Sequence, residues 1–264
     1  MRSGPPRLLA AYVGTMSILL LLPIVIVVIL AFSGQSYLKF PPDSLSLRWF
    51  IAFFGDEQWR QSLYLSIAIA AIASILSTLF GFLAAYAFVR GTFRGKAVLL
   101  SLLLMPMIIP TVITSIALYF FSTRLDLIGN IFWIGCCHAV IALPVVLLIL
   151  LSTLQGVDAS FERAALSLGA SRWHVFTRIV VPLAAPGLVS ATLFAFLVSF
   201  DELLIAMFLT NVRDQTLAVR IWNSLHLEVE PTIAAVSAFL IAVTGLFLFA
   251  DWIIRRRLRA VSWR

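Results

Sequence analysis

The chain has 264 residues, 62% of them apolar and only 12% charged. So large an apolar share excludes a soluble globular domain and identifies an integral membrane protein. The formal net charge of +7 reflects how basic residues divide across the membrane, so it calls for no nucleic-acid partner.

Sustained apolar runs fall at 8–32, 62–89, 97–122, 131–153, 180–210 and 232–254. Each is near or above the ~20 residues a helix needs to cross ~30 Å of hydrocarbon. None shows the ~10-residue alternation of a barrel strand, and backbone in lipid must satisfy its own hydrogen bonds. The expected fold class is therefore all-α, a single membrane domain over 1–264 with six transmembrane helices.

The first run, "LLAAYVGTMSILLLLPIVIVVILAF", carries Pro23 and is long enough to span, so it reads as a retained anchor rather than a cleavable signal. Residues 33–61 mix Pro41, Pro42 and Asp43 with Trp49, Phe50, Phe53, Phe54 and Trp59, the composition of a segment lying along the membrane surface. In the second span Gly81 serves helix packing, and Gly91 follows its end. The third holds Pro106 and Pro110 in "LMPMIIPTVI", where two missing backbone donors predict a bend. The fourth contains the adjacent Cys136 and Cys137, read as small packing residues, His138, read as a hydrogen-bonded core histidine, and Pro144. Pro186 interrupts the fifth. Between the last two spans, 211–231 carries Arg213, Asp214, Arg220, His226, Glu228 and Glu230, polar enough to face water or a soluble partner. In the sixth, Asp251 stands four residues before Arg255, the spacing of a helix ion pair.

Thirteen basic residues group on one side: Arg2 and Arg7; Arg90, Arg94 and Lys96; Arg163, Arg172 and Arg178; Arg255, Arg256, Arg257, Arg259 and Arg264. The other side has six, Lys39, Arg48, Arg60, Arg124, Arg213 and Arg220. The positive-inside rule then places both termini and the 154–179 loop in the cytoplasm, with the arginine cluster after the last span free to meet anionic lipid.

That loop is the most polar long stretch beside the spans. Asp158 or Ser160 is placed to N-cap a short helix, Glu162 suits its first turn, Gly169 suits a left-handed end, and Ser171 caps a second helix. Phe161, Ala164, Ala165 and Leu168 recur at three- and four-residue spacing, a narrow apolar stripe shaped to enter a groove on a cytosolic protein. The segment "RAALSLGASRWHVFTRIVVP" resembles the signature of the permease subunits of type I ABC importers, EAA, three residues, Gly, nine residues, I-x-L-P. Ala164, Ala165, Gly169, Ile179 and Pro182 fall on the pattern. Val181 replaces its Leu, and Arg163 stands at its Glu, with Glu162 just before. The resemblance implies that Glu162, Arg163, Ala164, Ala165, Leu168, Gly169, Ala170, Ile179 and Pro182 form a coupling helix and hinge seated on an ATPase subunit. Past the hinge, "LVSFDELLIAMFLT" and "TLAVRIWNSLHLEVEPTIAAVSAFLI" look like the spermidine/putrescine branch of that family, specifically its second permease.

The branch implies a polyamine as solute, with other small amines, opines or aminophosphonates as the alternative. It also implies a second non-identical permease, an ATPase dimer that binds ATP and magnesium, an external solute-binding protein and a bacterial inner-membrane location. No GxxxxGK[ST] run occurs in the chain, so a partner must hydrolyse the nucleotide. No cofactor, catalytic group or metal ligand set is expected in this chain itself. Asp201 and Glu202, beside Phe200, are the sharpest chemical feature, because acids in an apolar span usually face a cavity or a partner. Their alternative reading is an ion pair at a helix end, with Arg213, Arg220 or the partner permease. As neighbours on a helix they point about 100° apart, which argues against an enzyme's carboxylate dyad and for one pathway acid, Asp201.

Overall fold

The computed structural model describes residues 7–227 and 231–261. Arg2, Glu228, Glu230 and Arg264 lie outside them, as do the side chains of Arg7, Arg255, Arg257 and Arg259. The described residues are helical, with one isolated β-bridge, Ser33 to Leu45, as their only strand-like pairing. The all-α expectation holds. Five helices are long and apolar enough to cross a membrane, Leu9–Ala31, Glu57–Arg90, Ile131–Gln155, Arg172–Phe200 and Thr232–Ile254. A bent pair, Lys96–Met107 with Thr111–Arg124, makes six when counted as one span.

The chain separates into two units. The first, Met1–Arg60 with Ile221–Gly245, contains α1 (Arg7–Ala31), α2 (Arg48–Gly55) and the first half of α12 (Thr232–Val261). The most apolar window of α1 has none of its residues buried, as suits a helix facing lipid on most sides. Where α1 ends, Ala31 packs with Ala234 and Ala238. Residues 33–47 turn back on themselves: Gly34 N–H donates to the Ser44 carbonyl at 2.9 Å, and Ser46 N–H to the Phe32 carbonyl at 2.7 Å. In α2, Phe53 is buried against Trp59 and Phe239, with ring centroids 5.9 and 5.5 Å away. The aromatic run thus includes a short helix that buries Phe53 and leaves Ile51 and Phe54 exposed.

The second unit, Gln61–Arg220 with Leu246–Arg264, holds most of α3 (Glu57–Arg90), then α4 (Lys96–Leu104), α5 (Thr111–Arg124), α6 (Ile131–Gln155), α7 (Ser160–Ser167), α8 (Arg172–Val175), α9 (Val181–Phe200), α10 (Leu204–Leu209) and the start of α11 (Leu217–Leu227). α11 falls where a polar loop was expected. Its first amide, Leu217 N–H, is taken by Ser66 Oγ of α3 at 2.7 Å, which supplies a partner for one of the otherwise unpaired N–H groups of a helix start.

The prolines of the third to fifth spans behave differently. Pro106 sits in a 3-10 turn, Met105–Met107, and Pro110 is the N-cap of α5, so the third span breaks between them with a bend of 94°. Pro144 and Pro186 are carried inside continuous helices. Ahead of Pro182 the backbone widens into a π-helical stretch, Phe176–Val180, which accommodates the missing N–H and the ring's clash with the preceding turn. Helix therefore runs unbroken from Arg172 to Phe200. This corrects the expected fifth span of 180–210 at both ends: it begins eight residues earlier and stops at Phe200, beyond which the apolar sequence turns into α10.

α6 and α9 meet through small residues. Ala184, Gly187, Ala191 and Ala195 lie on one face of α9, all buried, and a methyl group at Gly187 would overlap the Thr153 side chain. Small residues let two backbones approach closely where no hydrophobic drive separates helix from lipid. Gly187→Val is therefore expected to cost about 1–3 kcal/mol through overpacking, seen as a lower melting temperature of the detergent-solubilised protein. An unchanged melting temperature would show that this interface yields without cost.

Candidate functional site

The loop between α6 and α9 is built as a bracket. Asp158 Oδ1 accepts from Ser160 N–H at 2.8 Å and starts α7. That backbone hydrogen bond holds the Asp158 carboxyl below its ordinary pKa. α7 ends at Gly169, whose φ of +89° is left-handed. Gly169 N–H donates to the Leu166 carbonyl and Ala170 N–H to the Ala165 carbonyl, at 3.0 and 3.1 Å. The long return bond from Ala170 is the mark of a Schellman-type end, which glycine permits without strain. Ser171 Oγ then accepts from His174 N–H at 3.2 Å and caps α8.

The two faces of α7 differ. Phe161, Arg163, Ala164, Leu168 and Gly169 are exposed, Leu168 at 88%. Ala165 and Ala170 are half-buried and pack on the α6–α9 core, as does Ile179 in the π-helical stretch; Pro182 is exposed. Glu162 turns inward and is buried. Its Oε1 accepts from Arg90 Nε at 2.7 Å and its Oε2 from Tyr86 Oη at 3.2 Å, while Arg90 Nη2 donates to the Val157 carbonyl at 2.8 Å. The end of α3 thus grips both the carboxylate of α7 and the backbone leading into it. Arg90 and Tyr86 were not among the expected site residues. Arg90 counted only toward topology, and nothing in the local pattern links it to Glu162.

A groove of about 370 Å³ elsewhere in this unit, between Gln61, Tyr64, Ile134 and Asp214, holds none of the expected site residues. At the other end of α9, Phe200 is buried and stacks on Phe196, which stacks on Phe247. Asp201 is exposed, and among the described residues no basic side chain pairs with it. Glu202 accepts from Leu204 and Ile205 N–H at 2.9 and 3.1 Å, so its carboxylate caps α10 within its own segment rather than reaching a neighbouring helix. Asp251 accepts from Ser190 Oγ of α9; the expected Asp251–Arg255 pair involves a side chain outside those described. Among the described residues no cluster of His, Cys, Asp and Glu is placed to hold a metal.

A six-span helical chain that displays a glycine-ended helix between its fourth and fifth spans, and anchors that helix from behind, has the architecture of a transport permease. Residues 77–259 match the model of the family described as binding-protein-dependent transport system inner membrane component, and the chain belongs to that family. It is the permease subunit of an ABC importer, a transport component rather than an enzyme; permeases of this kind work with an ATPase and a solute-binding protein. The putrescine transport system permease protein PotI of Escherichia coli K12 is 31% identical over 80% of this chain and 78% of its own. The spermidine/putrescine transport system permease protein PotC of Haemophilus influenzae is 28% identical over 90% of this chain and 92% of its own. Among solved structures, a chain of a bacterial alginate ABC transporter in complex with its alginate pentasaccharide-bound periplasmic protein superposes with a TM-score of 0.70 at 14% identity, covering 96% of this chain and 94% of that one.

The bracket makes a specific expectation. Removing either charge leaves its partner shielded from water without a counter-charge, at a cost of about 1–3 kcal/mol, whereas removing both loses little more. Glu162→Gln, Arg90→Gln and the double variant should therefore all speed tryptic cleavage at Arg163 and Arg172 to a similar degree. Additive effects of the two single changes would show that the pair is not a unit.

Proposed function

We propose that this chain translocates a polyamine such as spermidine or putrescine, received from an external solute-binding protein. The observation that carries this reading is the likeness to a putrescine permease across four-fifths of the chain. The exposed Asp201 supports it. The unbroken helix Arg172–Phe200 has 29 residues, about 43 Å at 1.5 Å each against ~30 Å of hydrocarbon, so its Asp201 end reaches one rim, where a carboxylate can meet an ammonium group leaving water. Another small amine, an opine or an aminophosphonate is the alternative, since each also carries a cationic nitrogen.

In this reading the chain pairs with a second, non-identical permease. The exposed face of α7, with Phe161, Ala164 and Leu168, enters a groove on one subunit of an ATPase dimer, which binds ATP and magnesium. Glu162, Arg163, Ala165, Gly169, Ala170, Ile179 and Pro182 shape and aim that helix. Closure of the ATPases draws the two docking loops together and favours the arrangement of spans that opens outward, a shift between two populations rather than a new conformation. The protein resides in a bacterial inner membrane with both termini and α7 in the cytoplasm.

Two measurements test this. In proteoliposomes holding the whole importer and its binding protein, Asp201→Asn is expected to cut putrescine uptake about tenfold, the scale of one charge-assisted contact, while ATP hydrolysis persists. Wild-type uptake by the variant would make Asp201 structural, and failure of the wild-type importer to move any polyamine would favour the alternative solutes. For orientation, a reporter fused after Arg264 should be active in the cytoplasm and a cysteine replacing Asp43 should be labelled from outside. Labelling of α7 from outside intact cells would overturn the docking argument.

A further inference from the structure

His138, in the second turn of α6, is 1% exposed. Its Nδ1 lies 2.9 Å from Ser199 Oγ and 3.2 Å from the Ser199 carbonyl oxygen, both on α9. A bare Nδ1 could accept from the hydroxyl, but its lone pair would then also face the carbonyl oxygen's, and the proton would sit on Nε2, which is buried without an acceptor among the described residues. A proton on Nδ1 instead converts the contact with the carbonyl into a donated hydrogen bond, so the geometry assigns the neutral Nδ1–H tautomer.

The acceptor has a particular place in the chain. Ser199 supplies one of the last four carbonyls of α9, which lack the usual helical partner. It also accepts from Glu202 N–H at 3.3 Å, beside the Asp201 N–H bond to the Leu197 carbonyl at 3.1 Å. Glu202 in turn caps α10 with its carboxylate. One imidazole therefore joins α6 to the terminal turn of α9 and, through Glu202, to the start of α10. The residues between those bonded points are Phe200 and Asp201.

We infer that His138 is a positioning residue for transport: its Nδ1–H pins the Ser199 end of α9 to α6 and fixes the direction in which the break at Asp201 projects. The Arg172 end of the same continuous helix adjoins the docking loop, so a displacement there turns α9 about a held end instead of dragging Asp201 along. The effect on uptake rests on the reading of Asp201 as the pathway acid; the pinning itself does not.

Asparagine and glutamine separate this role from mere filling of space. An asparagine amide N–H sits where Nδ1–H does, whereas a glutamine amide reaches toward the Nε2 position. Leu203→Cys, in a Cys136→Ser, Cys137→Ala background, reports on the break by its rate of maleimide labelling in the assembled importer. His138→Gln is expected to raise that rate about fivefold and to lower solute moved per ATP about fivefold, the scale of one buried hydrogen bond. His138→Asn should stay within about twofold of the parent in both. Identical behaviour of the two variants, whether both match the parent, both lose function or both fail to assemble, would overturn the inference. If the labelling contrast appears but the parent moves no polyamine, the solute assignment fails and the positioning role stands.

Discussion

The loop between α6 and α9 depends on the ion pair between Glu162 and Arg90. A helix as short as α7, eight residues, has too few internal hydrogen bonds to persist alone, and its outer face is deliberately open. What orders it is the carboxylate on its inner face, held by a guanidinium and a phenol from α3, with the same guanidinium also holding the Val157 carbonyl. Coulomb attraction alone would be a poor argument at a wet surface. Here the pair is mostly screened from solvent, with side-chain exposures of 20% and 10%, and the donors are directional. A load applied to α7 therefore passes into α3 as well as along the backbone into α9. The family pattern has its Glu one position later; in this chain Glu162 performs the anchoring, and Arg163 is left exposed.

A second constraint governs the rest: backbone polar groups inside hydrocarbon need partners within the protein. The spans satisfy it by being helical, and the departures are few and locally compensated. At the third span the break falls between two prolines, where a donor is missing in any case, and Thr114 N–H and Ile113 N–H return to the Pro110 carbonyl. At the end of α9, the Glu202 side chain stands in for the missing helical acceptors of α10. At Pro182 the π-helical stretch absorbs the defect without breaking the rod. Each irregularity is thus placed by a particular residue, and two of the three coincide with the segments argued to move or to meet solute.

These placements mark where sequence was informative. Span number, helical class and the bend at Pro106 and Pro110 were legible because each is written in local chemistry: apolar length, or a missing N–H. The left-handed end at Gly169 and the Ser171 cap were legible for the same reason. The limits of the fifth span were not, since Phe200 to Leu209 stays apolar on both sides of the break and hydropathy does not register a change of direction. The partners of Glu162 and His138 were also illegible. Arg90 is 72 residues from Glu162 and Ser199 is 61 from His138, and no local periodicity reports which faces of distant helices meet. The amphipathic stripe on α7 misled in one respect, because Ala165 fits the apolar spacing yet packs inward.

The face between α6 and α9 explains why polar contacts at the ends matter more than their small number suggests. Ala184, Gly187, Ala191 and Ala195 present almost no side-chain relief, so ridges and grooves that would lock a register are shallow along most of the shared length. Such a face brings the helices close and contributes dispersion energy, but it discriminates weakly between neighbouring positions of one helix along the other. Register must then come from groups with direction. His138 supplies one between α6 and α9 at the Ser199 end; partway along, the bonds of α9 go to other helices, Ser190 Oγ to Asp251 of α12 and Thr192 Oγ1 to Thr78 Oγ1 of α3 at 3.2 Å. Among the described residues no comparable side-chain bond from α6 is seen at the Arg172 end, where the π-helical stretch and the bracket take over. The α6–α9 face is thus smooth along most of its length and, among the described residues, fixed by a side-chain bond only near the Ser199 end, which under the importer reading proposed above would let α9 turn on α6 about that end.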